Sequence, residues 1–151
     1  MLGLYSTEVI AMNYIVLDME WNQPWPGSPS AKKVLPVQIR GEIIQIGAVR
    51  LTEDQTVADE FQVMIRPKYY RRLNRRVSKL TGIKEAQLRD EGIPFPEAME
   101  QFRSWCGENV IFLTWGFDDI GILREWSISL TRRKAFSRAG IRKSSGLFFP
   151  A

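Results

Sequence analysis

Three short runs of apolar, largely β-branched residues occupy the first 67 residues of the 151-residue chain. Runs of this length, bounded by Gly, Pro and polar residues, predict β-strands. We place the strands at 14–20, 42–51 and 58–67, with a proline-rich loop over 22–36. The order and the short connection between the last two predict an antiparallel meander.

The second half of the chain changes character. Segments 75–83 and 94–107 have helical spacing, and each ends at a glycine, where a helix is favoured to stop. Segment 109–115 is continuously apolar and predicts a strand buried on both faces. Segment 117–126 begins another helix. We therefore predict one α/β domain, which suits this length.

The composition excludes several classes of protein. No apolar run approaches the roughly 20 residues that span a bilayer. The N-terminus lacks the basic region and cleavage site of a signal peptide. The single cysteine excludes an internal disulfide framework and a cysteine-based zinc site. We predict a soluble cytoplasmic protein without a membrane partner.

The positive charge is concentrated at one end. Residues 1–126 contain all 17 acids and 15 of the 21 Lys and Arg residues, whereas residues 127–151 contain the other six cations and no acid. A basic tail binds phosphate backbones without reading base sequence. The alternative is that the tail has no function.

Two acids close the first predicted strand. Asp18 and Glu20 are two apart, so their side chains point to the same face. Carboxylate oxygens are the ligands that Mg²⁺ and Mn²⁺ prefer, and phosphate chemistry often uses two such ions about 4 Å apart. The alternative is a pair of solvated acids at a strand end.

Three motifs in a fixed order extend this observation. They are LDMEWN at 17–22, GEIIQIGAV at 41–49 and TWGFDDIGIL at 114–123, with an LTGI segment between the last two. Over residues 12–126 the chain resembles the DnaQ-like, or DEDD, 3′→5′ exonuclease family, most closely its Eri and KapD-type branch. The resemblance implies the ribonuclease H-like exonuclease fold, with a mixed sheet whose first three strands are antiparallel.

The resemblance also implies roles for particular acids. Asp18 and Glu20 match the first family motif and Asp119 the second, as catalytic residues that bind two Mg²⁺ or Mn²⁺ ions. Asp118 is the competing choice for the second motif. The implied reaction releases nucleotides from the 3′ ends of single-stranded RNA or DNA.

Substrate contacts are implied at two places. Leu80, Thr81 and Gly82 match the family segment that packs on the terminal nucleotide. Trp21 and Asn22 directly follow the acid pair, where they would meet a 3′ end. Two further features stay open. Glu42 is either a family position or a strand-capping acid, and the arginines around Asn74 either contact phosphates or are solvated.

The family's third motif is missing from these 151 residues. That motif is a histidine or tyrosine base shortly before a final metal-binding aspartate, on a helix after a fifth strand. The chain has no histidine, no aspartate after Asp119 and no tyrosine after Tyr70. We therefore expect the C-terminal strand and helix to be missing and catalysis to be impaired. The alternative is a non-catalytic nucleic-acid-binding remnant.

The loss of this motif coincides with the change in charge and periodicity near Trp126. A frameshift or truncated gene explains both, and translation of the other two frames tests it. We accordingly expect an incomplete exonuclease domain over 12–126, a basic and non-native or disordered tail over 127–151, and a non-native extension over 1–11.

Overall fold

The computed structural model describes residues 12–134 of the chain, with side chains described as far as Trp126. The strands are β1 (Asn13–Asn22), β2 (Glu42–Leu51), β3 (Val57–Met64) and β4 (Val110–Leu113). The helices are α1 (Arg75–Thr81), α2 (Glu85–Asp90), α3 (Phe95–Cys106) and α4 (Asp118–Lys134), and a short 3₁₀ helix spans Pro29–Lys32.

The strands form one mixed sheet in the order β3-β2-β1-β4. β1 pairs antiparallel with β2, β2 antiparallel with β3, and β1 parallel with β4. The predicted antiparallel arrangement of the first three strands is confirmed. Strand β4 pairs only with Asn13–Val16, so the second half of β1 extends beyond it.

The main core lies on one face of the sheet. Alternate residues of β1 point into it because side chains alternate along a strand, and Ile15, Leu17 and Met19 are all buried. Helices α3 and α4 cover them with Phe102 and Trp126, among other apolar side chains. This packing fixes the start of α4 beside the end of β1.

The opposite sheet face is less covered within the described residues. Val16 of β1 and Ile111 and Leu113 of β4 are 38%, 36% and 42% exposed. The prediction that segment 109–115 is buried on both faces is therefore wrong. Among the strands of residues 12–134, β4 lies at the edge of the sheet with one face on the core, and continuous apolarity alone does not distinguish this from a central strand.

The bounds of α1 and α3 agree closely with the segments predicted from the sequence, whereas α2 and the end of α4 were not predicted. Gly82 adopts the left-handed conformation, φ 76°, and closes α1 as predicted. Helix α2 was not anticipated, because six residues are too few to show helical periodicity. Helix α4 runs to Lys134, eight residues beyond the predicted end of the domain. No helix within 12–134 is both long and apolar enough to cross a bilayer.

Candidate active site

The acid pair lies on the less covered face of β1, beyond the last residue that pairs with β4. Asp18 is exposed and Glu20 is half-buried, whereas Met19 between them points into the core. This follows from the alternation of side chains along the strand. The sequence prediction that the two carboxylates share one face is confirmed by this arrangement.

The third acid joins them through the backbone of β1. Asp119 is buried at the start of α4, and its Oδ1 accepts a hydrogen bond from the Met19 N–H at 3.1 Å. Because β4 stops at Leu113, no described strand pairs with Met19 on that side, and a carboxylate takes the place of a strand partner. Asp118 is exposed instead. The geometry thus distinguishes the two candidate aspartates.

Neighbouring carboxylate charges influence the pKa values of Glu20 and Asp119. Burial raises the pKa of Glu20, and the neighbouring charges of Asp18 and Asp119 raise it further. Burial also raises the pKa of Asp119; the hydrogen bond from Met19 opposes this rise, and the charges of Asp18 and Asp118 add smaller upward contributions. Like charges held together in this way favour either a proton or a cation among them.

The donor set suits a hard divalent cation, since it consists of carboxylate oxygens alone. The spacing of these side chains is less suitable. Among residues 12–134, no group of three Asp, Glu or Cys side chains is arranged to hold a metal ion.

Helix α4 is fixed in position by contacts near its middle. The Glu125 carboxylate accepts hydrogen bonds from the Arg40 Nε at 2.6 Å and from the Arg40 backbone N–H at 3.0 Å. The Trp126 Nε1–H donates to the Gly41 carbonyl at 3.0 Å. These contacts join α4 to the start of β2. They orient the helix that carries Asp119.

Asn22 is not accessible from the cleft beside Asp18, Glu20 and Asp119, which we call the acid cleft. It is fully buried, its Nδ2 donates to the carbonyls of Tyr70 and Arg72 at 2.8 and 2.9 Å, and its Oδ1 accepts from the Asn74 N–H at 2.9 Å. With every hydrogen-bonding group of its amide occupied, Asn22 holds a loop rather than offering a group to a 3′ end.

Glu42, next to Asn22 in the β1–β2 register, holds the same loop. Its two oxygens accept hydrogen bonds from the backbone N–H groups of Lys68, Tyr69 and Tyr70, at 2.5 to 3.0 Å. The sequence was compatible with two roles for Glu42, a family position or a strand-capping acid. A buried carboxylate needs several donors, and nothing in the local pattern identified a loop 26 residues away as their source.

This pair of buried polar residues fixes residues 68–74, which lead into α1. The Asn74 side chain caps α1 by accepting from the Arg76 N–H at 2.9 Å. At the other end of the helix, Leu80 is 78% exposed and Gly82 is exposed, whereas Thr81 is half-buried and its Oγ1 donates to the Val77 carbonyl. Leu80 is thus an exposed apolar side chain on an anchored helix.

Strand β1 has a β-bulge between Glu20 and Trp21, and the Trp21 side chain packs against the main core. Its ring lies close to Gly41, where an added Cβ would stand 2.4 Å from the Trp21 Cδ1. Two aromatic side chains that the sequence reasoning missed lie instead on the loop before Asp119. Trp115 and Phe117 are 99% and 93% exposed. Adjacent large apolar residues at a loop near acids are the signal that could have identified them.

The fold and the acid constellation together define a class. The chain matches the RNase_T exonuclease family over residues 15–134 and belongs to it. It is 29% identical over 112 residues to the probable 3′-5′ exonuclease KapD of Bacillus subtilis (strain 168), covering 74% of this chain and 51% of KapD. It is 38% identical over 79 residues to human ERI1 exoribonuclease 2, covering 48% of this chain and 11% of that protein. The chain thus spans about half of KapD and a smaller part of the human protein.

Solved structures support the fold. A full-length 3′-exonuclease superimposes with a TM-score of 0.61 at 23% identity, covering 80% of this chain and 53% of that one. The nuclease domain of 3′hExo, a DEDDh family member bound to rAMP, gives 0.57 at 22% identity, covering 88% and 63%. At these identities the similarity shows the fold alone, which is the ribonuclease H-like exonuclease fold. The predicted family is confirmed, and so is the predicted mixed α/β sheet of the ribonuclease H-like exonuclease fold.

Proposed function

We propose that this chain carries a divalent-metal-dependent 3′→5′ exonuclease site that acts on the 3′ ends of single-stranded RNA or DNA. The observation that supports it most is the Asp119–Met19 hydrogen bond, which places the third acid between Asp18 and Glu20 on the β1 backbone. The pKa values of Glu20 and Asp119 are raised by burial and by neighbouring carboxylates, a situation that a bound cation relieves, and family membership supplies the reaction class.

In this proposal Asp18 and Glu20 hold Mg²⁺ or Mn²⁺, and Asp119 contributes charge directly or through a water. Bound divalent ions supply an activated water and stabilise charge on the leaving oxygen. The protein's part is positioning. Leu80 offers an apolar surface to the terminal nucleoside, Thr81 and Gly82 form the helix end that carries it, and Trp115 offers a face on which a base can stack.

Turnover by these 151 residues is expected to be slow. The chain contains no histidine and no tyrosine beyond Tyr70, so neither family base follows the acids. Loss of a general base typically reduces a rate by about 10²–10⁴-fold. We therefore propose the same cleavage at a reduced rate, and the absence of a base favours one alternative function, binding of nucleic acid without cleavage.

An assay with a 5′-labelled single strand distinguishes exonuclease cleavage from binding without cleavage. Slow loss of single nucleotides from the 3′ end with Mn²⁺, absent in Asp18→Asn, supports the exonuclease. Salt-sensitive binding with no cleavage by the wild-type chain supports the binding function. Internal cuts, or equal cleavage by Asp18→Asn, contradict the exonuclease proposal. Asp54→Asn, an exposed acid in the β2–β3 turn, is the matched control.

A further inference from the structure

A cavity of about 700 Å³ lies away from the acid cleft, between the start of β2 and helices α2 to α4. Its volume is within the range of sites for small molecules. Phe95 and Trp126, which line it, belong to helices that cover the core face of the sheet, and none of Asp18, Glu20 and Asp119 is among the lining residues. The cavity is therefore separate from the proposed catalytic site.

The wall of this cavity is aromatic. Trp126 lies 4.3 Å from Phe95 and 6.2 Å from Tyr69, measured between ring centroids. Pro94 and Pro96 add further flat apolar surface. Rings and prolines arranged in this way suit a planar, ring-shaped ligand better than a flexible aliphatic one. A nucleic-acid base is a ligand of this shape.

The rim of the cavity is cationic. Four exposed cations line it, against two acids; the cations are Arg66, Lys68, Arg71 and Arg89, and the acids are Glu42 and Glu85. Of the cations, only Arg89 forms an ion pair within residues 12–126, with Asp90 at 2.8 Å. Both oxygens of Glu42 and Oε1 of Glu85 already accept backbone N–H groups. The remaining charge complements an anion.

We propose that this cavity binds a nucleotide, with the base against the aromatic wall and the phosphate between Arg66 and Arg71. Guanidinium groups suit phosphate because their planar donors match its oxygens in pairs. The site differs from the acid cleft in needing no metal ion, and it would take a nucleotide released by the cleft or one supplied from solution. The chain's own residues 135–151 carry only positive charge, so they do not complement the rim.

The test measures binding of AMP, adenosine and inorganic phosphate to the full chain by calorimetry, in EDTA and in an Asp18→Asn background. Both conditions disable the proposed cleft, so failure here is distinct from failure of the exonuclease. We expect AMP to bind, and to bind at least tenfold more weakly to Arg66→Ala/Arg71→Ala. Arg103→Ala/Arg124→Ala, which removes two exposed arginines elsewhere, should bind as the parent does.

Several results would overturn the proposal. They are AMP binding that the rim variant leaves unchanged, AMP binding that requires a divalent cation, and adenosine binding as tightly as AMP. Tighter binding of an acidic peptide, competed by no nucleotide, would assign the cavity to a protein partner instead. Circular dichroism of each variant confirms that it is folded, and the rim substitutions alter exposed side chains only.

Discussion

Removal of the Glu42 carboxylate tests whether buried polar residues hold the loop that leads into α1. In Glu42→Ala, the N–H groups of Lys68, Tyr69 and Tyr70 lose their acceptor. Each buried donor left unsatisfied costs about 1–3 kcal/mol. Because Glu42 borders a cavity that water can enter, we take the lower part of that range for each donor. The expected loss of unfolding free energy is about 3 kcal/mol.

A loss of this size is large beside the roughly 5–15 kcal/mol by which a domain is stable. Urea unfolding followed by tryptophan fluorescence should show the midpoint falling by about 1–3 M, given a typical dependence of 1–3 kcal/mol per molar. Glu53→Ala removes the same charge from an exposed turn and should change stability by less than about 0.5 kcal/mol. Equal midpoints for Glu42→Ala and Glu53→Ala would refute the reasoning.

Three further predictions concern the acid cleft and its surroundings. The folded-state pKa of Glu20 is raised, so the stability of the wild-type chain falls as the pH rises from the unfolded-state pKa through the folded-state pKa. In EDTA, Glu20→Gln should therefore have a melting temperature near that of the wild type at pH 4 and above it at pH 7. The opposite trend would contradict this. Trp115→Ala should weaken binding of a single strand about 5- to 100-fold by filter binding while leaving the melting temperature unchanged, because the ring is fully exposed; unchanged affinity argues against stacking. Gly41→Ala places a methyl group 2.4 Å from the Trp21 ring and should cost about 1–3 kcal/mol in urea unfolding, so a neutral effect would show that the ring moves freely.

The strands and the acid pair were predictable because their signals are local. Asp18 and Glu20 are two residues apart, and strand alternation alone places them on one face. The motif spacing favoured Asp119 over Asp118 in the same way. The contact that Asp119 makes was not predictable, because it is a hydrogen bond to Met19, 100 residues away in sequence, that no local pattern encodes.

The roles of Asn22 and Glu42 were not predictable for the same reason. Their partners lie 26 to 52 residues away, in a loop whose path is set by packing of the whole domain. Asn22 follows the acid pair closely in sequence, which favoured a substrate contact. Because it is fully buried, its role is structural instead. Exposure likewise separates Trp115 and Phe117 from the aromatic residues of the core, which are equally apolar in sequence.

The end of the domain was harder to place than its beginning. Periodicity and acidic charge both fade after Trp126, which suggested a boundary there. Helix α4 nevertheless continues to Lys134, and the family match extends equally far. A helix can continue through a stretch of weak amphipathicity, because its hydrogen bonds are internal and Leu, Arg and Lys favour it.

Binding of Mn²⁺ to the 151-residue chain tests most directly whether Asp18, Glu20 and Asp119 form one cation site. Electron paramagnetic resonance measures free Mn²⁺ during titration, independently of any turnover. We predict saturable binding that becomes at least tenfold weaker in Asp18→Asn, whereas Asp54→Asn, an exposed turn acid, binds as the wild type does. Equal Mn²⁺ affinity of the wild type and Asp18→Asn would contradict the assignment of these carboxylates as the metal-binding site.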